Sequence, residues 1–468
     1  MDAAEIYGVC KSGMANTYFE DKDYFDLTLG NDFEFSNVES RVICQNRFFD
    51  GSTAVDTDIQ LFNAAAPSFT LAIDYEFLSS NSANASLVSC YDEAGNEGFR
   101  LRYSSHPYIQ WGDKEQQVGH SDKRNLVVLR HAKGSDILYI YAFNSEENTV
   151  SMSGTNAILT RARSTLTNAV LTLGAIRFQG DGGHDYYATG WIHWAKIWFQ
   201  DLGAAHAVKL AAWPHETLRM EYCGAGRYRY AGTSSSRVGG SFLAGNASYY
   251  LRRWNPSSTN VGGWNGSEIR SLMSSRLYAA LPEEWKSIIT KVKILASAGN
   301  RSTEIITSED YIYLASEREA GGSTSTPYVN EGEAISYLTS GESRIRFTGL
   351  IIPADAQVIR ESTDPTTLTT YTVRSGDIWI HTGNSSYGYI YVPSADAAKH
   401  THLGGRKASA SENIPAGDGG VWVRANNWWL RSASVDNTSN ARNVNPYGGL
   451  NSTNANIANA LVPGFSIG

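Results

Sequence analysis

Between about residues 18 and 222, apolar and polar positions alternate in short runs. Phe69-Thr70-Leu71-Ala72-Ile73-Asp74-Tyr75-Glu76-Phe77 sets every second large apolar side chain on one side, as a strand with one buried face requires. Phe99 to Tyr103, Leu126 to Leu129, Ile137 to Tyr141, Leu171 to Ala175 and Trp191 to Phe199 repeat the theme. Turn residues separate these runs at intervals suited to a two-sheet sandwich. Leu210 to Glu216 then reads as a short closing helix.

After the sandwich the period changes. Gly226 to Gly240, with Tyr228, Tyr230 and Ser234 to Ser236, reads as a connecting segment. Asn265 is placed to cap a helix with Glu268 at its N3 position, and Ile269, Leu272, Met273 and Leu277 then share one face. Pro282-Glu283-Glu284-Trp285 opens a second helix, with proline at the first position and acids in the first turn. Lys291 to Ala296 and Tyr311 to Leu314 read as strands. Residues 347 to about 425 read as an inserted β subdomain, with strands at Ala356 to Arg360, Tyr371 to Arg374, Ile378 to Ile380 and Tyr387 to Val392. The expected division is an N-terminal segment (1–17), a sandwich (18–222), a linker (223–240) and a mixed α+β domain (241–468).

The last 43 residues, 426–468, follow another logic. Asparagine recurs at 426, 427, 437, 440, 443, 445, 451, 454, 456 and 459, with no Lys, Glu, Gln, Met or His and one Asp. A low-complexity tract would lack apolar anchors, but Trp428, Trp429, Leu430, Val444, Leu450, Phe465 and Ile467 supply them. That pattern describes a folded end with solvent-facing polar positions. Rewriting AAC or AAT codons only at their adenines yields Asn, Ser, Thr, Tyr, Asp, Gly and Ala, never Lys, Glu, Gln, Met or Trp. Residues 434–459 obey that rule, with Arg442 and Tyr447 also permitted.

Here the chain resembles the variable proteins of diversity-generating retroelements. The matching residues are Trp428-Trp429-Leu430-Arg431-Ser432, Asn440-Ala441-Arg442-Asn443-Val444-Asn445 and Val462-Pro463-Gly464-Phe465-Ser466-Ile467. The resemblance implies a C-type-lectin-like domain, related to formylglycine-generating enzymes, carrying a diversified surface. The strands of 18–222, ending in Gly190 to Trp198 and Asp201-Leu202-Gly203, resemble a laminin-G or concanavalin-A-like jelly roll. Together they imply a phage tail-fibre tip that binds a host cell-surface receptor, protein or glycan, located on the virion or on a bacterial surface. Trimerisation is the expectation for a tail fibre, because three weak tips gain avidity. Ser434, Asp436, Asn437, Asn440, Arg442, Asn443, Asn445, Tyr447, Asn451, Ser452, Asn454, Asn456 and Asn459 would carry specificity. Short polar side chains adapt their hydrogen bonds and tyrosine supplies rigid contact area, as in antibody loops. The alternative is a fixed-specificity carbohydrate-binding adhesin with two lectin-like domains.

A third reading, a glycan depolymerase or lyase, is disfavoured by the lack of an acid pair and of any nucleophile motif, so no enzyme is expected. At 468 residues with 26 Tyr, 12 Trp and only 18% charged residues, the composition favours β structure and aromatic-lined surfaces in two or more domains. The net charge of −8 argues against nucleic acid, and no apolar run nears the roughly 20 residues that span a bilayer. The opening MDAAEIYGVCKSG has no basic head or apolar core of a secretory signal. Cys10, Cys44, Cys90 and Cys223 show no metal spacing and read as free thiols. No cysteine follows Cys223, which excludes formylglycine-generating chemistry, and Trp254-Asn255-Pro256 and Trp264-Asn265-Gly266 lack the final Asp of a calcium-binding lectin motif. Laminin-G relatives sometimes bind calcium at the sandwich rim. Asp181 and Asp185 are the candidates for it, although a Gly-rich hairpin explains them equally well. His400 and His402 lack flanking carboxylates, so no metal or cofactor is expected. Asp56 and Asp58 come closest to the paired acids of a glycosidase but read as a solvated strand entry.

Overall fold

The computed structural model describes residues 2–468 apart from 21–22, 31–36, 63–65, 79–80, 93–96, 113, 121–123, 145–148, 153–165, 167–168, 178–182, 214, 246–247, 446–447 and most of 340–426. The protein is mainly β and divides into two units, Gly30–His215 and a second made of Met1–Leu29 with Glu216–Gly468.

The unit 30–215 is a sandwich of two six-stranded antiparallel sheets. One sheet runs Thr149–Met152, Leu138–Asn144, Asn125–His131, Phe69–Phe77, Thr189–Trp198, Ser40–Asp50. The other runs Val55–Leu61, Ala169–Leu173, Ser86–Tyr91, Glu97–Ser104, His106–Trp111, Lys114–Gln117. Alternation builds the core: Phe69, Leu71, Ile73, Tyr75 and Phe77 pack with Cys90, Phe99, Leu101, Ile109 and Leu171 between the sheets. Phe69–Phe77 is also buried on its other face, which its sequence alone does not announce. Ala72 there joins Trp194 and Trp198 beneath Ala207, Leu210 and Ala211. Ala207 and Leu210 belong to a helix over Ala204–Leu210, with Ala211 as its C-cap, so Leu210 ends the closing helix instead of starting it, and Glu216 opens a strand. The apolar run 210–213 begins at the helix's last residue and continues past its end, with Ala211 and Trp213 buried outside the helix.

The other unit gathers both ends of the chain into one sheet. Its order is Tyr24–Leu29, Glu216–Gly224, Gly240–Ala244, Pro463–Ile467, Ile289–Thr290, with Ile312–Leu314 also paired to Pro463–Ile467. Phe25 stacks on Trp285 at 4.7 Å, and Phe242 and Phe465 close the cluster. The expected boundaries at 18 and 222 therefore shift to 30 and 215. The expected linker is structural: Arg229–Tyr230 pairs with Val292–Ser297, and buried Tyr228 packs 4.7 Å from Tyr313.

Of the two helices expected after the sandwich, the first covers Glu268–Leu272, and its cap is Ser267, whose Oγ accepts from the Arg270 amide at 3.3 Å. Asn265 lies in a preceding 3-10 turn, Trp264–Gly266, so the capping residue sits two positions later than its Asn-x-x-Glu spacing indicated. Glu283–Ile288 forms the second helix directly after Pro282. Within the expected insertion, strands at Gln357–Ile359, Tyr389–Val392, Ile378–His381, Val421–Arg424 and Arg406–Lys407 form one sheet, in that order. Tyr371 to Arg374, His400, His402 and Asp181 lie outside the described residues. All four cysteines are free and buried.

Candidate functional site

The C-terminal segment is mounted on a sheet ordered Ser248–Arg253, Ala458–Leu461, Trp428–Ala433, Asn440–Val444, Leu450–Asn454. Every residue of Trp428–Ala433 is buried. Trp429 Nε1 donates to the Arg252 carbonyl at 2.7 Å, and Trp254 Nε1 donates to the Leu430 carbonyl at 3.2 Å.

Arg431 carries a full charge into this core and uses every donor it has. Its Nε donates to Leu295 O (3.0 Å), Nη1 to Leu314 O (2.7 Å) and Glu319 Oε2 (2.6 Å), and Nη2 to Glu319 Oε1 (2.8 Å) and Glu331 O (2.6 Å). Five N–H groups meet five acceptors, the condition under which a buried guanidinium is tolerated. Glu319 also accepts from the Ser316 amide at 3.0 Å and the Tyr228 hydroxyl at 2.8 Å. Burial pushes the Glu319 carboxyl up, but Arg431 outweighs it and holds the group below the usual carboxylate range. Glu331 behaves the other way. Burial raises it to about 7, against the opposing pull of the Ser432 hydroxyl and Arg431.

The turn after this strand, 434–440, is held from outside. Asn260 Nδ2 lies 2.8 Å from Ser434 O, 2.8 Å from Asn437 O and 2.7 Å from Asn440 O. Its two hydrogens serve three main-chain carbonyls. Asn260 Oδ1 accepts from the Asn300 amide, and the Asn260 amide donates to Thr438 O, both at 2.8 Å. Tyr328 adds a second clamp: its hydroxyl donates to Ala433 O (3.3 Å) and accepts from the Val435 amide (3.1 Å). Asn437 contributes from inside the turn, its Oδ1 accepting from the Ser439 amide at 2.8 Å.

The thirteen positions expected to carry specificity divide by burial. Asp436, Asn437, Asn451, Asn454 and Asn456 are exposed, while Asn440, Arg442 and Ser452 are half-buried. Asn440 stands opposite Asn454 and Arg442 opposite Ser452, so these four share one face. Arg442 grips Glu317 with two bonds, at 3.0 and 2.9 Å, and lies 5.8 Å from the Tyr328 ring centre. Ser434, Asn443, Asn445 and Asn459 are instead inside the fold. Asn443 donates to Thr453 Oγ1 at 2.7 Å, and Asn445 Oδ1 accepts from the Gly449 amide at 2.7 Å to close a turn. Asn443 and Asn445 thus hold a neighbour and the backbone, Ser434 takes part through its main-chain carbonyl, which accepts from Asn260, and Asn459 Nδ2 is buried with no hydrogen-bond partner. Tyr447 lies outside the described residues.

The surface thus offers small amides, hydroxyls and one tethered guanidinium around an aromatic ring, which is hydrogen-bonding chemistry. Sequence reasoning missed Asn260, Glu317, Glu319, Glu331 and Tyr328, because single residues in irregular segments carry no spacing signal. Among the described residues no group of three His, Cys, Asp or Glu is placed to hold a metal. Asp56 is engaged by Thr172 (2.7 Å) and His184 (3.0 Å), Asp58 by Arg41, and Asp185 by the Tyr186 amide (2.7 Å).

A family described only as a domain of unknown function, DUF6273, has a model matching residues 239–467. No curated protein matches the chain. Among solved structures it is similar to the CBM40 of a Ruminococcus gnavus IT-sialidase bound to α2,3-sialyllactose, at 16% identity over 36% of this chain and 99% of that one, with a TM-score of 0.25. It is also similar to the NanB sialidase of Streptococcus pneumoniae, at 11% identity over 44% of this chain and 36% of that one, with a TM-score of 0.28. For a leech intramolecular trans-sialidase the identity is 14% over 41% of this chain and 36% of that one, with a TM-score of 0.25. Scores this small carry no functional argument.

Proposed function

We propose that this chain is a recognition protein, an adhesin that binds a cell-surface ligand through the face of Asn440–Val444 and Leu450–Asn454 and the adjoining turn. One observation carries the reading. The open polar side chains (Asp436, Asn437, Asn440, Arg442, Asn451, Ser452, Asn454 and Asn456) stand on a backbone fixed largely by residues that are not part of the open face, chiefly Asn260, Tyr328 and the Arg431 network. Such a face can change its chemistry with little loss of fold.

Two forms of this function differ in whether the face is fixed. A carbohydrate-binding adhesin of fixed specificity needs only the amide-and-hydroxyl surface. A retroelement-diversified phage tip is favoured by the coding rule that 434–459 obeys. Deep sequencing of the 3′ end of the gene across one clonal population separates them, since substitutions confined to adenines of the asparagine codons establish the diversified form. A glycan array probed with the full chain and with Asn454→Ala tests recognition itself. Binding that Asn454→Ala and Asp436→Ala both leave unchanged would remove this face from the function.

A further inference from the structure

The sandwich unit carries a second surface whose pattern the C-terminal reading does not use. Across its second sheet, Asp56, Thr172, Ser89, Arg100, Gln110 and Glu115 stand in register on all six strands. One step along, Ser86, Arg102, Tyr108 and Gln117 form a parallel row. The opposite pleat, with Val88, Leu101 and Ile109, is sealed in the core, so both rows face outward.

Half of that outer face is roofed. The strands Ile176–Arg177 and His184–Asp185 pair as a hairpin tied down through Asp56, which meets His184 at 3.0 Å and Arg177 at 3.5 Å. Ser89 Oγ donates to Ala175 O at 2.7 Å, and Thr172 and Ser89 are fully covered. Beyond this roof, Arg100, Arg102, Tyr108 and Gln110 remain partly open. We propose that this open floor is a separate binding site, for a carboxylate-bearing sugar, with Arg102 as its anchor.

Arg102 is built in, while its acid is not. Its side chain is 12% exposed; Nη1 donates to Asn84 Oδ1 at 3.2 Å and the guanidinium lies 5.7 Å from the Tyr108 ring centre. Its Nε–H is buried without a hydrogen-bond partner, and a buried unsatisfied donor calls for an explanation. Glu115, which meets Nη2, is 46% exposed on a short strand whose four residues all face solvent. A ligand carboxylate can take the place of Glu115 at the guanidinium, for which a planar fork is matched. Arg100 stands two residues away on the same face, about 7 Å along the strand, a span comparable to one pyranose ring. Tyr108 offers a ring to the sugar's C–H face, while Gln110 holds Arg100 in place, its Oε1 accepting from Arg100 Nε (3.0 Å) and Nη2 (2.7 Å) and its Nε2 donating to Gly112 O (2.9 Å).

The backbone at this rim is unusual. Asn84 (φ 75°), Ser105 (φ 60°) and Tyr186 (φ 54°) are left-handed without being glycine. Two of them bear on Arg102: Asn84 binds its guanidinium, and the Tyr186 carbonyl accepts from the amide of Ser86, its register partner. Costly backbone retained in one place is a mark of functional sites.

The inference stands apart from the C-terminal face and is tested on the full chain. Calorimetric titration with α2,3-sialyllactose, against lactose as the uncharged control, is expected to show binding of the acidic sugar alone. Arg102→Met should weaken it on the order of tenfold or more, while Glu115→Gln, which removes the internal competitor, should strengthen it about threefold. A merely structural Arg102–Glu115 pair predicts no gain from Glu115→Gln, so that variant keeps the test decisive if Arg102→Met unfolds. Equal binding of lactose, no binding by wild type and Glu115→Gln alike, or weakening in Glu115→Gln would each overturn the assignment. Asp436→Ala and Asn454→Ala should leave this titration unchanged, which separates its outcome from that of the C-terminal face.

Discussion

Replacing Asn260 with alanine tests whether the recognition turn is held from outside. The side chain is fully buried, and its Nδ2 serves three carbonyls while Oδ1 takes the Asn300 amide. The bond to Ser434 O is buried, so that carbonyl loses its partner with no water to replace it, at a cost of about 1–3 kcal/mol. The carbonyls of Asn437 and Asn440 are nearer solvent, and losing a bond there costs about 0.5–1 kcal/mol each. The sum is about 3 kcal/mol, equivalent to a fall in Tm of roughly 6–12 °C for a unit of this size. Asn260→Asp should be worse than alanine, because a carboxylate has no hydrogen to offer three oxygens.

The comparison that gives the experiment its force is with the turn's own side chains. Asp436→Ala and Asn440→Ala in the turn, with Asn454→Ala on the neighbouring strand, remove at most one long, part-buried bond, from Asn440 Nδ2 to Ser452 Oγ at 3.4 Å, and each should stay within about 0.5 kcal/mol of wild type. Chemical denaturation of the full chain, following the transition of the unit that holds Asn260, measures both sets. A loss below about 1 kcal/mol for Asn260→Ala, or equal losses for the turn variants, would refute the reasoning.

Arg431→Met should cost about 3–5 kcal/mol by stranding the Glu319 carboxylate, and adding Glu319→Gln should restore part of it, as read by denaturant midpoints. Glu331 makes stability pH-dependent with an uncommon sign. Its folded value of about 7 lies above its ordinary 4.5, so the folded state holds the proton more tightly, and stability falls as pH rises from 4.5 through 7. The full loss is about 3 kcal/mol, and Glu331→Gln should flatten that slope in melts taken between pH 5 and 8. Ser267→Ala should cost about 1 kcal/mol as a lost helix cap, whereas Asn265→Ala should be nearly silent; the opposite order would return the cap to Asn265.

The sandwich strands were legible because large apolar side chains alternate along the sequence, even though Phe69–Phe77, Ser86–Tyr91 and Ala169–Leu173 proved buried on both faces. Three things were not. Tyr24–Leu29 alternates like any strand of the sandwich, yet its partner is Glu216–Gly224, with Tyr24 opposite Glu221. Alternation fixes a strand's faces but not the sheet it joins. The linker reading of 226–240 failed because glycine and serine signal turns without showing that Tyr228 between them is buried against Tyr313. The clamp residues were silent because Asn260 acts through main-chain carbonyls, and an acceptor carbonyl has no residue type.

The asparagine lattice shows the limit most sharply, since a coding rule is blind to faces. In Asn440–Val444, residues 440 and 442 are half open while 441 and 443 are buried, so one strand mixes recognition and structural positions under one composition. If adenines in this segment are rewritten, Asn437, Asn451, Asn454 and Asn456 can accept any product, because nothing buried depends on their amides. Asn445 cannot: its Oδ1 closes the turn on the Gly449 amide, and only Asp or Asn, with Ser or Thr more weakly, can repeat that bond. Asn443 must likewise keep a donor for Thr453. A sampled population should therefore vary freely at the four open positions and stay within hydrogen-bonding residues at 443 and 445. Equal variation at both sets would mean that these buried amides do not hold the fold, and that the face extends through the sheet.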